Sequence, residues 1–224
     1  MYFDIHTHNT VRREGVFSIV NMRAGYADFK EITAPVSFGV HPWDTTCHKS
    51  IQEIDKVTNV KGLIAIGECG LDKYKSGSLS KQTELFRKHV NYSEQLHKTL
   101  IIHCVGRYNE IIYLRKQIKP TQPWIIHGFN GHPQLAEQLI SNGFILSFGS
   151  AIFIGNSKAT KSLLLMRDEP FLLETDDSGF MIEEVYNQVA EIQGDEINHL
   201  KNKIATIFFK TFPGMETSGS QTTC

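Results

Sequence analysis

The chain has 224 residues, 41% hydrophobic and 21% charged, which suits one soluble globular domain with a substantial core. A formal net charge of −1 supplies no long-range field toward nucleic acid or an anionic membrane. No apolar run approaches the ~20 residues of a membrane span, and the start, MYFDIHTH, lacks the basic and apolar regions of a signal peptide, so a cytoplasmic location is expected.

The first predicted strand, residues 2–8 (YFDIHTH), carries His6 and His8. Residues 9–15 are too few for a full crossover helix before the second strand, 16–22 (VFSIVNM), so the first crossover is expected to be shortened or absent. The third strand, 36–41 (VSFGVH), ends at His41 and the fourth, 62–68 (GLIAIGE), at Glu68. A helix follows over 81–98, with Ser80 as its expected cap and Glu84 near the capping-box position. The strand at 99–104 holds His103, and a helix spans 108–117. The strand at 124–128 holds His127, and the next helix, 133–142, opens on Pro133, which suits a first turn. A strand at 144–149 (FILSFG), a helix at 158–166 and a strand at 171–176 (FLLETD) ending at Asp176 complete the alternation, before helices at 181–192 and 195–212.

Eight strands, most of them continuously apolar, read as parallel strands buried on both faces. Alternating with helices, they predict an α/β fold, a (β/α)8 TIM barrel distorted by its reduced first crossover. An open doubly wound sheet fits less well, because it would gather ligands at one switch point. The barrel is expected to fill residues 1–212 as one domain, with a polar tail over 213–224 whose end, ETSGSQTTC, offers nothing to pack.

In H-x-H the two side chains share a face of the strand. The same parity groups Ile64 and Ile66 with Glu68, Ile101 with His103, Ile125 with His127, and Leu172 and Glu174 with Asp176. Each strand then sends apolar residues into the barrel and a ligand to its C-terminal rim, where barrel enzymes keep their catalytic groups. His6, His8, Glu68, His103, His127 and Asp176 make a nitrogen and oxygen set suited to two divalent ions such as Zn, Mg, Mn, Ni or Co. A single buried strand histidine is more often structural than a ligand. Six such positions would each need a separate partner, whereas metal coordination accounts for them together. The cysteines (Cys47, Cys69, Cys104, Cys224) form no CxxC pair, and Cys69 and Cys104 read as small buried thiols pointing away from the adjacent ligands.

The stretches Phe3-Asp4-Ile5-His6-Thr7-His8, Gly39-Val40-His41-Pro42, Gly67-Glu68-Cys69-Gly70-Leu71-Asp72, Ile102-His103, His127-Gly128-Phe129-Asn130-Gly131 and Leu173-Glu174-Thr175-Asp176 are similar to the TatD family of metal-dependent hydrolases, within the amidohydrolase superfamily. The resemblance runs over about residues 2–210. It implies a (β/α)8 fold and a two-metal site in which His6, His8 and Asp176 bind one ion, His103 and His127 the other, and Glu68 bridges. It places His41 in the substrate pocket, and leaves Asp4 and Asp72 to orient loops or ligands. The chain departs from the family in two places. The family's arginine two residues after the fifth-strand histidine is displaced here to Arg107, and Asp177-Ser178-Gly179-Phe180 replaces a proline-containing loop after Asp176.

Two such ions lower the pKa of a shared water and clamp an oxyanion. Asp176 is the candidate general base and Glu68 the bridging group, with His41 and Arg107 as candidate substrate contacts. The resemblance implies a phosphodiesterase, specifically a deoxyribonuclease working from DNA ends, and near-neutral charge implies weak, salt-sensitive DNA contact. No membrane association or obligate protein partner is expected. An alternative keeps the site and changes the bond, to an amide or ester of a small carbonyl substrate. A third reading, a metal-dependent scaffold, would hold metal without turnover.

Overall fold

Eight runs rich in β-branched and aromatic residues form strands β1 (Tyr2–Thr7), β2 (Val16–Arg23), β3 (Val36–Gly39), β4 (Leu63–Asp72), β5 (Thr99–Val105), β6 (Trp124–Ile126), β7 (Phe144–Phe148) and β8 (Phe171–Leu173). They join in sequence order as parallel neighbours in one sheet. Helices α1 (His48–Glu53), α2 (Leu79–Leu96), α3 (Tyr108–Ile118), α4 (Pro133–Ser141), α5 (Lys158–Leu165), α6 (Ile182–Gln193) and α7 (Ile197–Thr211) fill the connections. This computed structural model describes residues 1–26, 35–75 and 77–215; the tail's polar end and Cys224 lie outside the described residues. The expected (β/α)8 barrel is present, and no helix intervenes between β1 and β2.

Two expectations about these elements need correction, and one element was not expected. The cap of α2 is Ser78 rather than Ser80: Ser78 has the extended backbone of a cap, and its hydroxyl accepts from the Lys81 N–H, whereas Ser80 already lies inside the first turn. Strand β4 continues past Glu68 to Asp72, because its ladder with β5 resumes beyond a bulge, from Cys69 opposite Ile102 to Asp72 opposite Val105. The short helix α1, between β3 and β4, was not among the predicted elements.

Aromatic side chains seat the helices on the sheet. Phe86 of α2 meets Trp124 of β6 edge to face at 5.3 Å, and Phe3 of β1 stacks on Phe208 of α7 at 4.3 Å. His89 of α2 is a structural histidine: its Nε2 accepts from the Val40 N–H at 2.9 Å, its Nδ1 donates to the Leu85 carbonyl at 2.7 Å, and burial lowers its pKa to about 4. It ties α2 to the end of β3, next to His41.

The barrel closes at the β8–β1 seam with little ladder. Among the described residues a single bridge joins Thr7 and Asp176, with the His8 N–H donating to the Asp176 carbonyl (3.1 Å) and the Asp176 N–H to the His6 carbonyl (2.9 Å). Side chains supply the rest. The Asp4 carboxylate accepts from the Thr175 N–H (3.0 Å) and hydroxyl (2.7 Å). Burial raises the Asp4 pKa to about 7, against the pull of the Thr175 bonds. The Tyr186 hydroxyl of α6 accepts from the Phe3 N–H at 3.0 Å and donates to the Phe3 carbonyl at 3.2 Å. Tyr186 thus replaces the strand partner that Phe3 lacks on this side.

Tyr186→Phe keeps the ring but strands both buried groups of Phe3. It should cost about 1–3 kcal/mol, read as a lower denaturation midpoint at unchanged slope. An unchanged midpoint would show that the seam does not depend on this hydroxyl.

Candidate metal centre

Glu68 projects into the C-terminal mouth because the sequence brackets it with glycine. At Gly67 (φ +137°) a Cβ would run into the Ile101 carbonyl oxygen, and at Gly70 (φ +148°) into that of His103. Only glycine lets β4 and β5 approach this closely. The β4 bulge also overturns the expected parity of this strand. Asn21 touches both Ser37 and Glu68, and Ala65 lies opposite Ser37, so Ile64 and Ile66 point to the other side of the sheet from Glu68.

The imidazoles converge on this carboxylate. Its Oε1 lies 2.8 Å from His103 Nδ1, 2.8 Å from His127 Nε2 and 3.1 Å from His41 Nε2. Its Oε2 accepts from Asn21 Nδ2 at 3.1 Å and stands 3.5 Å from His6 Nε2. Asp176 sits opposite, with Oδ1 at 3.5 Å from His6 Nε2 and 3.4 Å from His8 Nε2. Asp176 holds a left-handed backbone (φ +54°), which a short polar side chain tolerates better than most.

All six expected ligands therefore meet at one mouth, although His8, His127 and Asp176 lie just beyond their strands rather than within them. His41 is drawn into the same cluster. Its ligand atom groups with those of Glu68 and His103 within 4.8 Å, as do those of His6, His8 and Glu68, and those of His6, His127 and Asp176. Arg107 stands apart from these groups. At the head of α3, its guanidinium donates to Glu110 Oε1 at 2.7 Å.

A second set of residues orients the ligands. His103 presents Nδ1 to Glu68 while Nε2 faces Asp72 Oδ2 at 3.1 Å, and His127 presents Nε2 to Glu68 while Nδ1 faces Glu174 Oε1 at 3.2 Å. A carboxylate behind each imidazole fixes the tautomer that leaves the inner nitrogen free to ligate. Asp72 is held by Trp43 Nε1 (2.8 Å) and the Tyr74 N–H (2.8 Å), and Glu174 by the Gly128 N–H (2.8 Å). Asp4 and Asp72 orient neighbours, as expected. Asn21 and Glu174 were missed as supporting residues, though each is a polar interruption of an apolar run.

The electrostatics suit a cation. Burial opposes ionisation of Glu68, yet His127, His103 and His41 hold its carboxyl well below the usual range. Burial likewise opposes ionisation of Asp176, and the His6 and His8 imidazoles push its pKa down. His127 is raised well above its usual value because Glu68 and Glu174 outweigh burial. Burial lowers His41 despite Glu68. His6 Nδ1 is buried with no hydrogen-bond partner among the described residues, and Nε2 has only the long 3.5 Å approaches of Glu68 and Asp176, which suits a ligand position rather than a satisfied core histidine. The donor set therefore fits divalent metal.

A family model described as "TatD related DNase" matches residues 7–213. An uncharacterized metal-dependent hydrolase of Buchnera aphidicola is 32% identical over 145 residues, 63% of this chain and 55% of that protein. The uncharacterized metal-dependent hydrolase YcfH of Escherichia coli is 24% identical over 192 residues, 79% of this chain and 72% of that protein. The chain thus spans little more than half the length of the Buchnera relative. Among solved structures, the TatD homologue YjjV of Escherichia coli superposes with a TM-score of 0.81 at 19% identity, covering 94% of this chain and 97% of that one. That likeness speaks for the fold.

Glu174→Gln and Asp72→Asn should each weaken divalent-metal binding about 10- to 100-fold in calorimetric titrations, with the fold retained. Glu68→Gln should abolish binding of at least one ion. Wild-type affinity in all three variants would contradict the site.

Proposed function

The chain belongs to the TatD-related DNase family of metal-dependent hydrolases, and from that membership we propose that it is a two-metal phosphodiesterase that removes nucleotides from DNA ends. One observation supports this reading most strongly. The two oxygens of Glu68 face different ligand groups, Oε1 toward His103, His127 and His41, and Oε2 toward His6. A carboxylate so placed can be shared between two ions. In this reading His6, His8 and Asp176 hold one and His103 and His127 the other, with His41 close enough to Glu68 to serve the metals as well as the substrate. Divalent ions such as Mg, Mn, Zn or Ni would supply Lewis-acid polarisation of a phosphoryl oxygen and an attacking water of lowered pKa.

The side chains divide the remaining work. Glu68 is almost wholly buried, with both oxygens faced by imidazoles or Asn21. Asp176, with 35% of its side chain exposed, is the carboxylate that opens to solvent. As the more open of the two carboxylates, it is assigned as the group that accepts the proton of the attacking water and returns it toward the leaving oxygen. Arg107 donates through Nη1 to Glu110, so a phosphate would compete with Glu110 for it or take its remaining donors. With a net charge of −1, DNA is held chiefly at the metals, so contact weakens as salt rises. A cytoplasmic site of action belongs to the same proposal; among the described residues no helix is long and apolar enough to cross a membrane.

Metal-stripped protein reloaded with Mg, Mn or Zn should remove nucleotides stepwise from end-labelled single-stranded DNA. Asp176→Asn, which the left-handed backbone tolerates, should lose about 10²- to 10⁴-fold in turnover, well beyond any loss of metal. Silence on DNA with turnover of an amide or ester would overturn the nuclease reading. A rate loss in Asp176→Asn matched by metal loss would remove the proton-acceptor role.

A further inference from the structure

One side of the metal-centre mouth is rimmed by aromatic rings interleaved with cations. Trp43 follows the His41-Pro42 turn, its ring edge-on to His41 at 4.6 Å and 6.1 Å from His103. Its indole N–H is anchored on Asp72 Oδ2 at 2.8 Å, the same oxygen that faces His103. Lys75 Nζ lies over the Trp43 ring at 4.5 Å. Arg23 lies between Trp43 (5.8 Å) and Tyr26 (4.8 Å), held in place by a two-point ion pair with Asp44. On the other side of Asp72, whose Oδ1 accepts the Tyr74 N–H, Lys73 Nζ is 5.9 Å from the Tyr74 ring.

The Trp43 indole N–H serves the metal centre through Asp72, but that bond does not account for the exposed faces of these rings. Tyr26 (68%), Trp43 (39%) and Tyr74 (73%) are all substantially exposed, although rings of this size are usually buried. Trp43 stands beside the ligand His103, Tyr74 is tied by its backbone to Asp72, which faces His103, and Tyr26 shares Arg23 with Trp43. Asp44 and Asp72 are occupied by Arg23, Trp43, Tyr74 and His103, which leaves Lys73 and Lys75 as the outward charges of the rim. Exposed aromatic faces interleaved with cations are the means by which proteins hold single strands without reading sequence: bases stack on rings while the cations follow the phosphates.

The geometry points to a base-stacking platform, Trp43 and Tyr74 with Lys73 and Lys75, that seats the nucleotides of a single DNA strand next to the bond presented to the metal centre. It rests on the nuclease reading above and deepens it. The platform selects an unpaired strand, because stacking on Trp43 requires the base to leave a duplex stack. Its tolerance of any base implies little sequence preference.

The test reads binding apart from cleavage. A phosphorothioate oligo-thymidine is titrated into the protein with Mg present, following fluorescence anisotropy of the labelled strand and intrinsic tryptophan emission. Trp43 and Trp124 are the only tryptophans, and Trp124 is buried, so quenching reports on Trp43. We expect quenching in the wild-type protein, and affinity about five- to hundredfold weaker in Trp43→Ala and in Tyr74→Ala. Trp43→Phe, which keeps a stacking face, should restore most of it. An abasic strand should bind the wild-type protein at least as weakly as the full strand binds either alanine variant, and those variants should bind the abasic strand no more weakly than the wild-type protein does. Equal loss on base-bearing and abasic strands, or no loss in either alanine variant, would overturn the platform. Should Trp43→Ala disturb His103 through Asp72, Tyr74→Ala decides alone. Quenching and base-dependent binding without DNA hydrolysis would keep the platform and remove the nuclease reading; hydrolysis without base-dependent binding would do the reverse.

Discussion

A carboxylate buried among imidazoles organises this protein. Glu68 has His103, His127 and His41 against one oxygen and Asn21 and His6 against the other. A buried anion is costly unless fully compensated, and its neighbours here are drawn from β1, β2, β3, β5 and β6, or from residues directly after those strands. Compensation therefore demands that several strands end in register at one mouth. The glycines on either side of Glu68 meet that demand by letting β4 press against β5. A divalent cation suits such a cluster better than protons do, because it satisfies both carboxylates and leaves the imidazoles neutral.

The barrel's weakest hydrogen-bonded joint lies at the same mouth. Where β8 meets β1, the bridge between Thr7 and Asp176 links the backbone of one ligand to the strand end carrying two others. Side chains from Asp4, Thr175 and Tyr186 substitute for the missing ladder. Closure of the fold and assembly of the His6, His8 and Asp176 group are therefore one event. Metal bound there would stabilise the folded chain by mass action as well as serve chemistry.

Much of this was legible in the sequence, for physical reasons. Parallel strands buried on both faces leave continuous apolar runs, so all eight strands could be placed, and the brevity of residues 9–15 showed the missing crossover helix. The ligands stood out because a histidine or carboxylate closing such a run has few structural uses. Other features depend on backbone detail that periodicity cannot carry. The bulge at Glu68 breaks the alternation that would have put it on the face of Ile64 and Ile66. Ser78 caps α2 rather than Ser80 because it alone adopts the extended cap geometry, although both are serines near the helix start. Asn21, Glu174 and Tyr186 act only through partners distant in sequence. Arg107, a candidate phosphate contact, is engaged with Glu110, a pairing that spacing along α3 permits but does not require.

The measurement that most directly tests the account is anomalous diffraction from crystals of the protein grown with Mn. The account predicts two peaks per chain, one beside each oxygen of Glu68, the first shared with His6, His8 and Asp176 and the second with His103 and His127. A single peak, or Mn bound away from Glu68, would contradict it.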